Sequence, residues 1–232
     1  MIPFSQKVKT GEKMVQDDDI KQLIDEFMNS SLFKKKIDKI DDGDIYNEFS
    51  LQHELGIFLR KKLEKEGFKI QFEKNIEYFG GSGFVKSEMD IVVFNGLDKK
   101  SQKYAIELKF PTNGAVPKRM YQFVEDIKFM EEVKFRTKFN RTFCLTLVSD
   151  LAKGEGKAKG DGFWKEKTKN DGIYQYFRGD APTPIQGKIE NPIKAKEGTK
   201  SKIPPYFEIT QKRQIKWNQI KDTSYHYYLL EI

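Results

Sequence analysis

The chain predicts an α/β fold with a mixed central sheet flanked by helices, and three observations carry that expectation. Helical and extended patterns succeed one another as helix, strand, strand, strand, helix, strand over residues 44–150. Two of the segments repeat apolar residues at a period close to 3.6. A third, RTFCLTLVSD, is a mostly apolar run that suits a strand buried on both faces.

Taken in order, a polar start leads into DIKQLIDEFMNSSLFKKKI, which reads as one amphipathic helix. The turn DDGD follows, with Asp44 as the expected N-cap of the next helix. In IYNEFSLQHELGIFLRKKLEKEG, Leu51, Leu55, Phe58 and Leu59 keep helical spacing and Gly67 supplies the stop. Three strands are expected next, FKIQFEKNIEYF, SEMDIVVFN and KYAIELKF, separated by turns at Gly80-Gly81-Ser82-Gly83 and Asn95-Gly96. Met120, Phe123, Val124, Ile127, Met130 and Val133 then mark a helix. Beyond Asp150, GEGKAKGDGFWKEKTKNDG reads as a loop, GIYQYFRG as a short strand, and the stretch to Pro205 as a connection. YFEITQKRQIKWNQI and SYHYYLLEI offer closing strands. The whole chain reads as one domain, with residues 151–232 as loops and β-rich additions to the core.

Composition narrows the class. No apolar run is long enough to cross a bilayer and the N-terminus lacks a signal-peptide pattern, so a cytoplasmic protein without a membrane partner is expected. A single cysteine, Cys144, excludes disulfides and thiolate zinc sites within the chain, and its apolar surroundings suit a small buried hydrophobe. The formal charge of +7 is compatible with a polyanionic partner. Acidic clusters such as Asp17-Asp18-Asp19 and Asp41-Asp42 lie early, whereas lysines gather between Lys153 and Lys202.

The chemistry centres on KYAIELKF, where strand alternation puts Ile106, Leu108 and Phe110 on one face and Glu107 with Lys109 on the other. Such an acid-base pair usually marks a solvated face. The preceding strand changes that reading: a hairpin symmetric about Asp98 and Lys99 sets Asp90 opposite Glu107. Two facing carboxylates repel unless a cation lies between them, and hard oxygen ligands suit Mg2+ or Mn2+. The same register sets Glu88 opposite Lys109, so an ordinary cross-strand ion pair competes as an explanation of the lysine. Glu48 precedes Leu55 by seven residues and so points near the core face. A carboxylate there needs a metal or a hydrogen-bond partner.

Glu48, Asp90 and the Glu107-Leu108-Lys109 triplet, in this order on helix, strand and strand, resemble the PD-(D/E)XK nuclease superfamily. The resemblance covers about Asp44 to Asp150 and implies a restriction endonuclease-like αβββαβ core. Met89 departs from the motif's proline, at a position that varies widely in that superfamily. The resemblance implies that Asp90 and Glu107, with the Leu108 carbonyl and Glu48, hold one or two Mg2+ ions, for which Mn2+ substitutes. Lys109 would orient or activate the attacking water, and Gln122 would be the helix residue that often follows the triplet.

The function expected is a DNA endonuclease of restriction, mobile-element or defence type, working without a fused ATPase because no phosphate-binding P-loop occurs. A homodimer would deliver two cuts to a duplex. Lys118, Arg119, Lys153, Lys157 and Lys159 are candidate phosphate contacts, and the loop around Phe163 and Trp164 is a candidate for ordering on DNA. Alternatives are a nucleic-acid-binding subunit, a nuclease for RNA or branched DNA, and a basic interaction domain in which the constellation is accidental.

Overall fold

The computed structural model describes residues 17–37, 43–111, 116–149, 169–193 and 204–232. The expected contacts at Lys153, Lys157, Lys159, Phe163 and Trp164 lie outside those residues.

The first helical pattern folds as two helices, α1 (Asp17–Asn29) and α2 (Ser31–Ile37). Ser30 ends the first by donating its hydroxyl to the Phe27 carbonyl at 2.7 Å and starts the second by accepting from the Phe33 amide at 3.0 Å. Helix α3 (Glu48–Leu63) is capped by Asn47 rather than Asp44. Asn47 Oδ1 accepts from the Ser50 amide at 2.9 Å while Ser50 Oγ accepts from the Asn47 amide at 2.9 Å, a reciprocal box one turn nearer the apolar stripe. A 3-10 turn, Glu64–Glu66, then ends at Gly67 with φ 80°.

Strands β1 (Lys69–Asn75), β2 (Glu88–Phe94) and β3 (Lys103–Lys109) form an antiparallel meander. The first is shorter than its sequence pattern, because Asn75 caps a 3-10 turn over Ile76–Phe79. Helix α4 (Val116–Arg136) returns the chain so that β4 (Arg141–Ser149) runs parallel to β3. GIYQYFRG is not a strand but a 3-10 turn, Gly172–Tyr176, and the supposed connection before Pro205 contains a strand, β5 (Thr183–Glu190). It pairs with β6 (Tyr206–Ile215) as a separate ribbon. The chain closes through β7 (Asn218–Gln219) and β8 (Tyr225–Glu231), and β8 pairs antiparallel with β4. The six-stranded mixed sheet has the order β1-β2-β3-β4-β8-β7.

Helices α1, α2 and α3 bury Ile24, Phe27, Leu55 and Leu59 against Ile91, Ile106 and Leu145 on one face. On the other face α4 and the β5-β6 ribbon cover Val92, Ala105 and Cys144. The α/β class with a mixed sheet between helices is therefore as expected, and the face carrying Glu107 is covered rather than solvated. Among the described residues, no helix is long and apolar enough to cross a membrane.

Candidate active site

The hairpin register places the acids as the sequence predicts. Ile91 pairs with Ile106 and Val92 with Ala105, so Asp90 and Glu107 are the next residues along, and the Asp90 amide donates to Glu107 Oε1 at 3.3 Å. Asp90 Oδ2 accepts from the Leu108 amide at 2.6 Å, which fixes the carboxylate beside the strand. Glu107 is only 1% exposed because α4 lies over it.

Lys109 does not pair with Glu88. Its ammonium turns to Glu48 Oε1 at 3.2 Å, Asp126 Oδ2 at 3.5 Å and the Leu108 carbonyl at 2.8 Å. Glu48, the first residue of α3, is not buried: its side chain is 39% exposed. Its Oε2 accepts from the Phe110 amide at 3.1 Å, just past the end of β3, so the helix start is tied to the strand end. Gln122 stays outside the cluster, its Oε1 accepting from Arg119 at 3.1 Å.

Two residues of the cluster have no place in the sequence argument. Asp126 enters from α4 one turn after Gln122 and is 3% exposed. Lys86, on the segment between the Ile76–Phe79 turn and β2, sends its ammonium to Glu107 Oε2 and to Asp126 Oδ1, the latter at 2.9 Å. On the far side, buried Gln52 of α3 donates to the Asp90 carbonyl and to Glu73 Oε1, each at 2.6 Å. Asp126 does carry a sequence signal. It stands three residues after Phe123 and four before Met130, inside the apolar stripe, where an acid needs a partner. Lys86 carries none, because a loop residue's reach depends on the path of the loop.

The electrostatics follow from this crowding. Burial pushes the Asp90 carboxyl up to about 6, against the opposing pull of Lys109 and Lys86. Burial, then the adjoining Asp90, pushes Glu107 well above the usual carboxylate range. Burial works against the ammoniums of Lys86 and Lys109. For Lys86 the carboxylates of Asp126, Glu107 and Asp90 more than reverse it, and for Lys109 those of Asp126 and Glu48 do. Both lysines are therefore cations at neutral pH. Cys144, paired in register with Glu107, is buried and its thiol is pushed up, as suits packing rather than reactivity.

A divalent ion needs oxygen donors that converge. Among the described residues, no group of three or more His, Cys, Asp or Glu side chains is arranged to ligate one ion. Lys86 stands between Glu107 and Asp126 and bridges the two carboxylates. The donor chemistry nevertheless fits. Asp90 and Glu107 adjoin in register, and Asp126 Oδ2 is a buried oxygen with no hydrogen-bond partner, its nearest cation being Lys109 at ion-pair distance.

No protein-family model, curated protein or solved structure matches the chain.

Proposed function

We propose that the chain is a Mg2+-dependent nuclease of the PD-(D/E)XK type that hydrolyses phosphodiester bonds in DNA. The observation that supports the reading most is the meeting of Asp90, Glu107 and Lys109 at the edge of the meander, with Glu48 reaching them round the strand end. The order of the elements from α3 to β4, with an antiparallel meander and a parallel fourth strand, is compatible with a restriction endonuclease-like core.

In this reading Asp90, Glu107 and the Leu108 carbonyl would hold Mg2+ or Mn2+, which would supply charge neutralisation at the scissile phosphate. Lys109 stays protonated among its carboxylates, so it acts as a cation that orients the attacking water and faces the developing charge, not as the base. Glu48 positions Lys109 through the 3.2 Å contact and is itself fixed by the Phe110 amide. Phe49 and Tyr46, exposed by 70% and 55% beside Glu48, offer aromatic faces to unstacked bases, and exposed Lys118 on α4 is a phosphate contact.

The test is cleavage of plasmid and phage DNA in Mg2+ and Mn2+, with Lys109→Ala and a chelator as controls. Loss of cleavage by at least about a hundredfold is expected in both, given the usual size of transition-state charge effects. Cleavage that persists in Lys109→Ala would remove the site assignment.

A further inference from the structure

We propose that Glu107 and Asp126 form a cation seat that the Lys86 ammonium fills in the metal-free chain and a divalent ion takes over on binding, which makes Asp126 a metal ligand. The proposal rests on the reading of the cluster as a metal site and adds to it a ligand from α4 and a built-in competitor.

Geometry carries the argument. Lys86 bridges Glu107 of β3 and Asp126 of α4. It is the only one of the two cluster lysines that does so, since Lys109 leans instead on Glu48 and the second oxygen of Asp126. That second oxygen, Oδ2, is buried and accepts no hydrogen bond. Asp126 thus keeps an oxygen beside the seat that is held by the 3.5 Å ion pair with Lys109 and by no hydrogen bond.

The segment that carries Lys86 is anchored by other residues. Arg136 donates to the Ser82 and Gly83 carbonyls at 2.6 and 3.1 Å, and the Val85 amide donates to Glu132 Oε2 at 3.1 Å. Phe84 packs edge-on against Phe129 with the Arg136 guanidinium over its ring. Withdrawing the Lys86 side chain therefore leaves its backbone in place. The side chain is already 25% exposed, so its ammonium has a route to water.

Charge favours the exchange. Four carboxylates, Glu48, Asp90, Glu107 and Asp126, face two ammoniums, which leaves two negative charges uncompensated when all are ionised. Replacing Lys86 by a divalent ion leaves one. Lys86 then lowers the apparent metal affinity by the fraction of chains in which the seat is open.

Calorimetric titration with Mn2+ at pH 7.5 tests this on the full chain, Lys86→Gln, Lys86→Arg, Asp126→Asn and Asp90→Asn. Lys188→Gln, an exposed lysine of β5, controls for net charge. Lys86→Gln is expected to bind Mn2+ at least about tenfold more tightly and Lys86→Arg at least about tenfold more weakly, because a guanidinium holds two carboxylates better than an ammonium. Asp126→Asn should weaken binding by about tenfold, whereas Lys188→Gln stays within about twofold. Melting in chelator checks folding. Lys86→Gln should melt below the unaltered chain and gain more from Mn2+. Should Lys86→Gln, Lys86→Arg and Asp126→Asn all bind as the unaltered chain does while Asp90→Asn abolishes binding, the seat is wrong and the nuclease reading stands. Absence of Mn2+ binding by every protein, Lys86→Gln included, removes both.

Discussion

At Asp90 the fold holds a carboxyl where its charge is unfavourable. Its pKa, pushed from 3.8 to about 6 by burial, means that the native state retains a proton the unfolded chain has lost. The contribution to stability is thus present in full below about pH 4 and is lost as pH climbs through 6. Asp90→Asn keeps an oxygen to accept from the Leu108 amide and carries no charge. In chelator it should be more stable than the unaltered chain at pH 8, by on the order of 1–3 kcal/mol, and the difference should vanish towards pH 4. Urea melts at pH 4, 6 and 8 read this directly, and equal stability at pH 8 would show that the lysines already offset the burial. The sequence exposed this much, because strand alternation and a symmetric hairpin are enough to set Asp90 beside Glu107. It could not expose Lys86, whose ammonium arrives from a loop, nor that Asp126 is turned to the cluster while Gln122 accepts from Arg119, since either satisfies the helical spacing and only the packing of α4 chooses between them.

Elements formed where periodicity was long and failed where one residue decided. The amphipathic pattern over residues 19–37 was right about the buried face, but Ser30 competes for backbone hydrogen bonds and splits it. β5 reads as a connection in the sequence because Pro184 and Gly187 are turn-forming residues. Gly187, at φ 81°, sits at the irregularity of the ribbon and is tolerated there for that reason. Close packing leaves a sharper test in α3. A Cβ at Gly56 would stand 2.1 Å from the Phe72 ring of β1, so that glycine sets the approach of helix to sheet. Gly56→Ala gains about 1 kcal/mol of helix propensity yet should lose more to overpacking, a net destabilisation of about 1–2 kcal/mol. In a Phe72→Ala background the same change should stabilise. A double-mutant cycle in denaturant would show the reversal of sign, and additive effects would mean that the ring moves aside without penalty.

At the scale of the molecule, the end of the chain is bound into the sheet that carries the site. β8 pairs along β4, and the Ile232 amide donates to the Thr142 carbonyl at 2.8 Å. The ribbon is bound differently. Between the pairs Ile185-Arg213 and Gly187-Ile209, one residue of β5 faces three of β6, so Thr210 to Lys212 bulge out of the ladder. The bulge frees backbone amides, and Glu131 of α4 takes them. Its Oε2 accepts from the Thr210 amide and hydroxyl at 3.1 and 3.0 Å, and its Oε1 accepts from the Gln211 amide at 3.1 Å. Glu131 is 2% exposed, so these bonds compensate a buried charge as well as the bulge. The same helix also presents Asp126 to the cluster, which makes α4 the link between ribbon and site. Glu131→Ala should remove about 1–3 kcal/mol of stability, because the charge-assisted bonds that tie the bulge to α4 are lost. Hydrogen exchange localises the effect. The amides of Thr210 and Gln211 should exchange faster, and those of β3 and β4 should accelerate only as far as the loss of global stability requires. Uniform acceleration across the sheet, with no excess at the bulge, would mean that ribbon and core unfold only together and that Glu131 serves the whole fold rather than the tie.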